Sequence, residues 1–292
     1  MTRDTSPTPG PDADAKPATE PAPDADAVVV STDLTRRFGD LTAVDRLNLR
    51  VPPGIVYGFL GPNGAGKSTT IKMLTALLRS SFGSAWVCGH NVRTEPLAVK
   101  ACLGVVPEEL PLYERLTGRE QLELAGRLHG ISVAEVERRG PGLLEILGLQ
   151  ADADKMVVDY SHGMRKKIAL ACALIHGPRV LFPDEPFGGI DPISTSAIKR
   201  LLRGMVESRG TTVFFSTHVM ELAQAFCDRV GIIHRGVIIA EGTLSQVREA
   251  SGLGPEATLE DVFVRLVGGE AADENEILSW LAPDAPPAEG AG

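Results

Sequence analysis

Residues 55–78 read IVYGFLGPNGAGKSTTIKMLTALL, and the reading of this stretch decides the fold. Its opening, Ile55 to Leu60, is a short apolar run suited to a buried strand. Ile71, Leu74 and Leu78 then recur at helical spacing. Between the two, Gly61 to Ser68 fits G-x-x-x-x-G-K-[ST], the glycine-rich turn that joins a strand to a helix around bound phosphate. Gly61, Gly64 and Gly66 let the backbone wrap closely, so that successive N–H groups point inward. The helix N-terminus adds its positive end. Lys67 is expected to reach the β- and γ-phosphates and Ser68 to ligate Mg²⁺, so the whole loop is predicted to bind a nucleoside triphosphate: Gly61, Pro62, Asn63, Gly64, Ala65, Gly66, Lys67, Ser68 and Thr69.

A second element belongs with the first. RVLFPDEP is a short apolar strand ending at Asp184 and Glu185. An acidic pair there is compatible with a plain strand-end turn. Beside a phosphate loop it sits instead at the carboxyl end of a parallel strand, where open α/β sheets bind ligands. Asp184 is then the expected Mg²⁺ partner, and Glu185 the general base that polarises water.

The chain has 292 residues, 43% of them apolar, enough for a large core. No run approaches the apolar length of a membrane span. Residues 1–27 and 269–292 are rich in Pro, Ala and acids and are expected to be disordered tails, with one apolar knot, ILSWL, in the second. The formal charge of −9 lies in these tails. They hold six acids against two bases and six against none, which leaves the body at +1. The acidic balance therefore excludes no partner class. Cys88, Cys102, Cys172 and Cys227 show no metal spacing and are expected to be reduced, buried small residues of a cytoplasmic chain.

The stretch YSHGMRKK, Tyr160 to Lys167, leads into the apolar run IALACALI. Ser161 is a good helix N-cap in its own right. It also lies 23 residues before Asp184. With these motifs the chain resembles the nucleotide-binding subunits of ABC transporters over residues 28–268. That resemblance implies an α/β P-loop NTPase core with an antiparallel β subdomain and a helical subdomain at about 108–164. Ser161, His162, Gly163 and Met164 take the place of the signature loop, which acts on the ATP held by a second copy or a homologous subunit. Arg165, Lys166 and Lys167 at that helix start are either a solvated face or cations facing a triphosphate. Phe38 occupies the position of the adenine-stacking aromatic, with a strand-core phenylalanine as the alternative. Asp191 falls in the dimer-interface loop, and His218 is the expected switch histidine orienting Glu185 and water. His90, His129, His176 and His234 are read as structural.

Three positions depart from the family pattern. Glu108 stands where the family has a glutamine facing Mg²⁺ and the attacking water, and Pro183 stands where an aliphatic residue is usual. His162 also replaces the common glycine of the signature loop. The resemblance further implies a separate integral-membrane permease that holds the chain at the inner face of the membrane, with Tyr113 and Leu116 either in the groove that meets it or ordinary packing residues. The ending TLEDVFVRLVGG, with Thr258 as N-cap and Asp261 three residues on, is similar to ABC-2 export-type subunits. ATP and Mg²⁺ are the expected cofactors, and no nucleic acid is expected. The alternatives are a non-transport ABC ATPase and an ATP-holding regulatory module with little turnover.

Overall fold

The computed structural model describes residues 26–267; the two tails predicted at 1–27 and 269–292 lie almost wholly outside them. In chain order the first half gives β1 (Val29–Phe38), β2 (Leu41–Val51), β3 (Val56–Leu60), α1 (Lys67–Leu74), β4 (Phe82–Val87), β5 (His90–Asn91), α2 (Pro96–Cys102), β6 (Leu103–Val106), α3 (Gly118–Leu128) and α4 (Val133–Ile146). The second half gives α5 (His162–Leu174), β7 (Val180–Pro183), α6 (Pro192–Arg209), β8 (Thr212–Thr217), α7 (Met220–Phe226), β9 (Arg229–His234), β10 (Val237–Gly242), α8 (Leu244–Ala250) and α9 (Leu259–Val267).

Two sheets form. One has the order β2-β1-β4-β5 and the other β10-β9-β3-β8-β7-β6. In the larger sheet β3 runs parallel to β8 and β9, and β7 runs parallel to β6 and β8. All five residues of β3 are buried, which is why its sequence is an unbroken apolar run rather than an alternating one. Side chains still alternate between its two faces. Val56 and Leu60 join Leu181, Val213 and Phe215 in the core beneath the helices, while Tyr57 and Phe59 join Phe182 and Phe214 in the core beneath the smaller sheet. Phe214 stacks on Tyr57 with ring centroids 5.0 Å apart and also meets Phe59 and Phe182. Each fully buried ring of this kind stabilises by roughly 1.5–3 kcal/mol.

The smaller sheet draws on residues from both sides of the phosphate loop. β4 and β5 pair antiparallel onto β1, using residues that follow the phosphate loop. The first helix is shorter than its apolar spacing predicts. It stops at Leu74, where the Thr75 hydroxyl donates back to the Ile71 carbonyl at 2.8 Å and Ala76 turns to φ +55°. Of the cysteines only Cys227 is fully buried; the other three are half-buried, and none is bridged.

Residues 108–164 hold α3 and α4. Thr117 and Glu120 form a reciprocal cap on α3, and Ser132 caps α4 through the Glu135 N–H. Thr258 and Asp261 cap α9 in the same reciprocal way. His129 and His176 stack at 3.7 Å, and burial pushes His176 down to about 4, so it stays neutral. Among the described residues no helix is long and apolar enough to cross a membrane.

Candidate functional site

Parallel pairing brings the carboxyl ends of β3, β6, β7 and β8 to one edge of the sheet. The phosphate loop follows β3, Glu108 lies just after β6, Asp184 and Glu185 follow β7, and His218 follows β8. These residues line one cleft of about 510 Å³, together with Phe38, Asn63, Gly64, Gly66, Ser68 and Thr69. A larger cleft of about 720 Å³ opens between α4 and α6, but it gathers arginines and leucines and no carboxylate pair. Chemistry, not volume, singles out the smaller one.

The loop is shaped by close approaches. Gly61 lies so near the Ile233 carbonyl that a Cβ would stand 2.3 Å from it. Gly66, at φ +108°, caps α1 and approaches the Ala43 carbonyl, 2.6 Å from where a Cβ would stand. No side chain caps α1, so its first-turn N–H groups face the hollow of the loop. Ala65 is buried, and its carbonyl accepts from the Gly236 N–H at 2.9 Å. That bond ties the loop to the β9–β10 turn.

Lys67 is only 7% exposed. Its Nζ donates to the Gly61 carbonyl at 2.7 Å and the Pro62 carbonyl at 3.1 Å, and lies 3.9 Å from Glu185 Oε1. Burial pushes this ammonium below its ordinary range, while Glu185, Asp184 and Glu108 pull it back up. Asp184 is buried, and the Ser216 hydroxyl donates to its carboxylate. The same Ser216 oxygen accepts from the Glu185 N–H at 3.2 Å. The Glu185 carboxylate accepts from the Thr217 hydroxyl at 3.3 Å and meets His218 Nδ1 at 2.9 Å.

Pro183 has a local consequence. Asp184 N–H donates to Val106 on β6 at 2.8 Å, and N–H directions alternate along a strand, so the donor missing at Pro183 falls on the β8 side. The β7–β8 pairs stop at Leu181 opposite Val213 and resume only as a bridge between Asp184 and Ser216. The Ser216 hydroxyl spans this gap. Ser216 and Thr217 belong to the site beside the residues its motifs mark. The available signal was two polar residues closing the apolar strand TTVFFST directly before His218.

Other predicted residues lie elsewhere. Phe38 is 45% exposed at the end of β1 with the Arg36 guanidinium 4.4 Å from its ring centroid, so the strand-core alternative is excluded. Ser161, His162, Gly163, Met164 and Asp191 are outside the cleft lining. Ser161 caps α5 through the Met164 N–H at 3.3 Å, and Asp191 caps α6 through the Ser194 N–H at 2.9 Å. Two of the three bases at the start of α5 are not simply solvated. Arg165 donates to the Tyr160 and Val158 carbonyls and pairs with Glu114, and Lys166 donates to the Glu185 and Gly188 carbonyls. Tyr113 is exposed and Leu116 half-buried. A neighbouring apolar groove of about 410 Å³ is lined instead by Leu77, Leu103, Leu112 and Leu128.

A phosphate-wrapping loop after a central parallel strand, with a buried aspartate and a glutamate at the end of β7 in the same sheet, defines a P-loop nucleoside triphosphatase. The ABC transporter family profile matches residues 44–188. The daunorubicin resistance ATP-binding protein DrrA3 of Streptomyces coeruleorubidus is 40% identical over 277 residues, which is 88% of this chain and 87% of that one. The daunorubicin/doxorubicin resistance ATP-binding protein DrrA of Streptomyces peucetius is 40% identical over 224 residues, 77% of this chain and 68% of that one. A solved ATP-binding subunit of an ABC transporter, 32% identical, superposes with a TM-score of 0.78 over 82% of this chain and 99% of its own. The chain belongs to the ABC transporter family, as an ATP-binding, ATP-hydrolysing subunit.

Proposed function

We propose that this chain is the ATPase motor of a drug exporter, working as one half of a dimer on a separate integral-membrane permease. The observation that carries the reading is the Glu185 carboxylate, set 2.9 Å from His218 Nδ1 and 3.9 Å from Lys67 Nζ at the mouth of the phosphate loop. In this reading the adenine of ATP stacks on the exposed face of Phe38. The N–H groups from Gly64 to Thr69 and the Lys67 ammonium hold the phosphates. Lys67 exchanges its loop carbonyls for phosphate oxygens, which suits an ammonium already held in a buried, acid-lined place.

Ser68, the buried Asp184 and the exposed Glu108 present hard oxygen ligands to one cleft, which fits Mg²⁺. Bound there, Mg²⁺ would neutralise developing phosphate charge. Glu185 takes a proton from the water that attacks the γ-phosphorus, and the β–γ bridging oxygen leaves with its electron pair on ADP. His218 holds the Glu185 carboxylate and senses the γ-phosphate. Phe38→Ala removes only the stacking face. It is expected to raise KM for ATP by about fivefold, matching roughly 1 kcal/mol of aromatic stacking, with kcat unchanged in a steady-state phosphate-release assay.

Ser161 and Gly163 sit apart from the chain's own cleft, which supports their acting on the ATP of a second copy, with Asp191 at the interface between the two. Glu185→Gln protein with MgATP is expected to sediment as a dimer. Adding Ser161→Asp returns it to monomer: aspartate caps α5 as well as serine does but opposes a phosphate. Sedimentation as monomer in both cases would remove the composite site from the account. The resistance named in the two Streptomyces relatives supports an exported drug as cargo. The apolar groove of Leu77, Leu112 and Leu128 is the place for a short helix of the permease, which would hold the chain at the inner face of the cell membrane.

A further inference from the structure

Glu185 stands at φ +49°, in the left-handed region that L-residues enter only at a cost. Pro186 follows it, and a residue before proline is pushed toward extended backbone. The local sequence therefore opposes the conformation, which persists only if its neighbours over-determine it. Each polar group of Glu185 has such a neighbour. The N–H meets Ser216 Oγ at 3.2 Å, and the carboxylate meets Thr217 Oγ1 at 3.3 Å and His218 Nδ1 at 2.9 Å. These three come from β8 and the residue after it, so they belong to the sheet that carries the site. The carbonyl oxygen accepts from Lys166 Nζ at 3.2 Å, and Lys166 belongs to α5.

The same Nζ donates to the Gly188 carbonyl at 2.6 Å, in the turn that leads to Asp191. One residue on, Gly189 at φ +72° lies against the His162 ring, where a Cβ would stand 3.1 Å from Cδ2. The first turns of α5 thus grip both ends of the segment from Glu185 to Gly189, and α5 is the helix that Ser161 caps. We propose that Lys166 is a positioning residue for the hydrolytic carboxylate: its ammonium holds the Glu185 backbone in the left-handed conformation and ties that carboxylate to the seat of the helix bearing Ser161. The proposal rests on the reading of Glu185 as general base. A shift of α5 that follows the engagement of Ser161 on one ATP then reaches Glu185, at the other, through a single side chain. The lysine suits the task because one ammonium reaches two carbonyls at once. Methionine of similar length offers no donor, glutamine offers one amide, and arginine offers several.

The test is steady-state phosphate release by the full chain against ATP concentration, with ATP affinity and melting temperature measured alongside. Lys166→Met is expected to lower kcat about tenfold or more, the loss of a charge-assisted hydrogen bond, with KM and Kd for ATP within about twofold of wild type. Lys166→Arg restores kcat to within about threefold, and Lys166→Gln falls between the two. Unchanged kcat in Lys166→Met, a proportionate rise in KM, or a kcat that falls equally in all three variants would each overturn the proposal. Should Lys166→Met lose its fold, the comparison of Lys166→Gln with Lys166→Arg decides in its place. Glu185→Gln is run in parallel. Turnover retained there removes the general-base reading itself, whereas turnover lost there but retained in Lys166→Met removes only the role of Lys166.

Discussion

Glu185→Gln protein is expected to bind ATP as wild type does and to release phosphate at least about a hundredfold more slowly, the loss that follows when a proposed general base becomes an amide. The substitution keeps the side-chain shape and the backbone that Ser216 and Lys166 hold. It removes the charge that faces Lys67 and His218. Because the contacts of Glu185 are with side chains rather than with the glycines of the phosphate loop, nucleotide affinity is expected to survive. Phosphate release and equilibrium ATP binding, measured on the same preparation, separate the two effects. Equal phosphate release in both proteins would mean that another group activates water.

Gly66→Ala is expected to lose ATP affinity by about a hundredfold or more and to melt several degrees lower. Two costs add. The φ of +108° is strained for any residue with a Cβ, and that Cβ would stand 2.6 Å from the Ala43 carbonyl, a backbone atom that cannot swing aside. Relief requires the loop to move away from β2, which pulls its N–H groups out of the hollow. A loss of roughly 2–4 kcal/mol in stability lowers the melting temperature by several degrees in a domain of this size. Gly64→Ala is the matched comparison. Gly64 also has positive φ, at +79°, but open space where its Cβ would point. Its loss in calorimetric ATP binding is expected to be smaller. Equal losses at the two positions would mean that conformational strain, and not the approach to Ala43, shapes the loop.

The parts of the site that were legible in the sequence are those where chemistry imposes a spacing. The glycines, lysine and serine of the phosphate loop must fall at fixed offsets to wrap a phosphate, and Ile55 to Leu60 must be apolar because β3 is covered on both faces. Asp184, Glu185 and His218 could be placed because each ends an apolar run, and parallel strands bring their ends to one edge. What stayed hidden depends on pairings between distant segments. Nothing local in FGSAWV, residues 82–87, says that it leaves the parallel core to pair with β1. The stop of α1 at Leu74 is set by one hydroxyl turning back on its helix, although Leu78 continues the apolar spacing.

The basic run Arg165 to Lys167 shows the same limit at the scale of side chains. Charge and helix position left a solvated face and a phosphate contact equally open. The structure instead sends Arg165 to the carbonyls before its own helix and Lys166 to the backbone of Glu185. Ser216 was missed for a related reason. Its two hydrogen bonds, to the Asp184 carboxylate and from the Glu185 N–H, lie where the β7–β8 pairing is interrupted after Leu181, a gap that only the pairing of distant strands creates.

The most direct test of the motor reading is affinity purification of the tagged chain from detergent-solubilised membranes of its native host, with the recovered proteins identified by mass spectrometry. A stoichiometric partner with several apolar spans, whose presence raises the rate of ATP hydrolysis, is the expected result. Recovery of ribosomes or DNA-bound proteins in place of a membrane protein would contradict it, while leaving the ATP site as described.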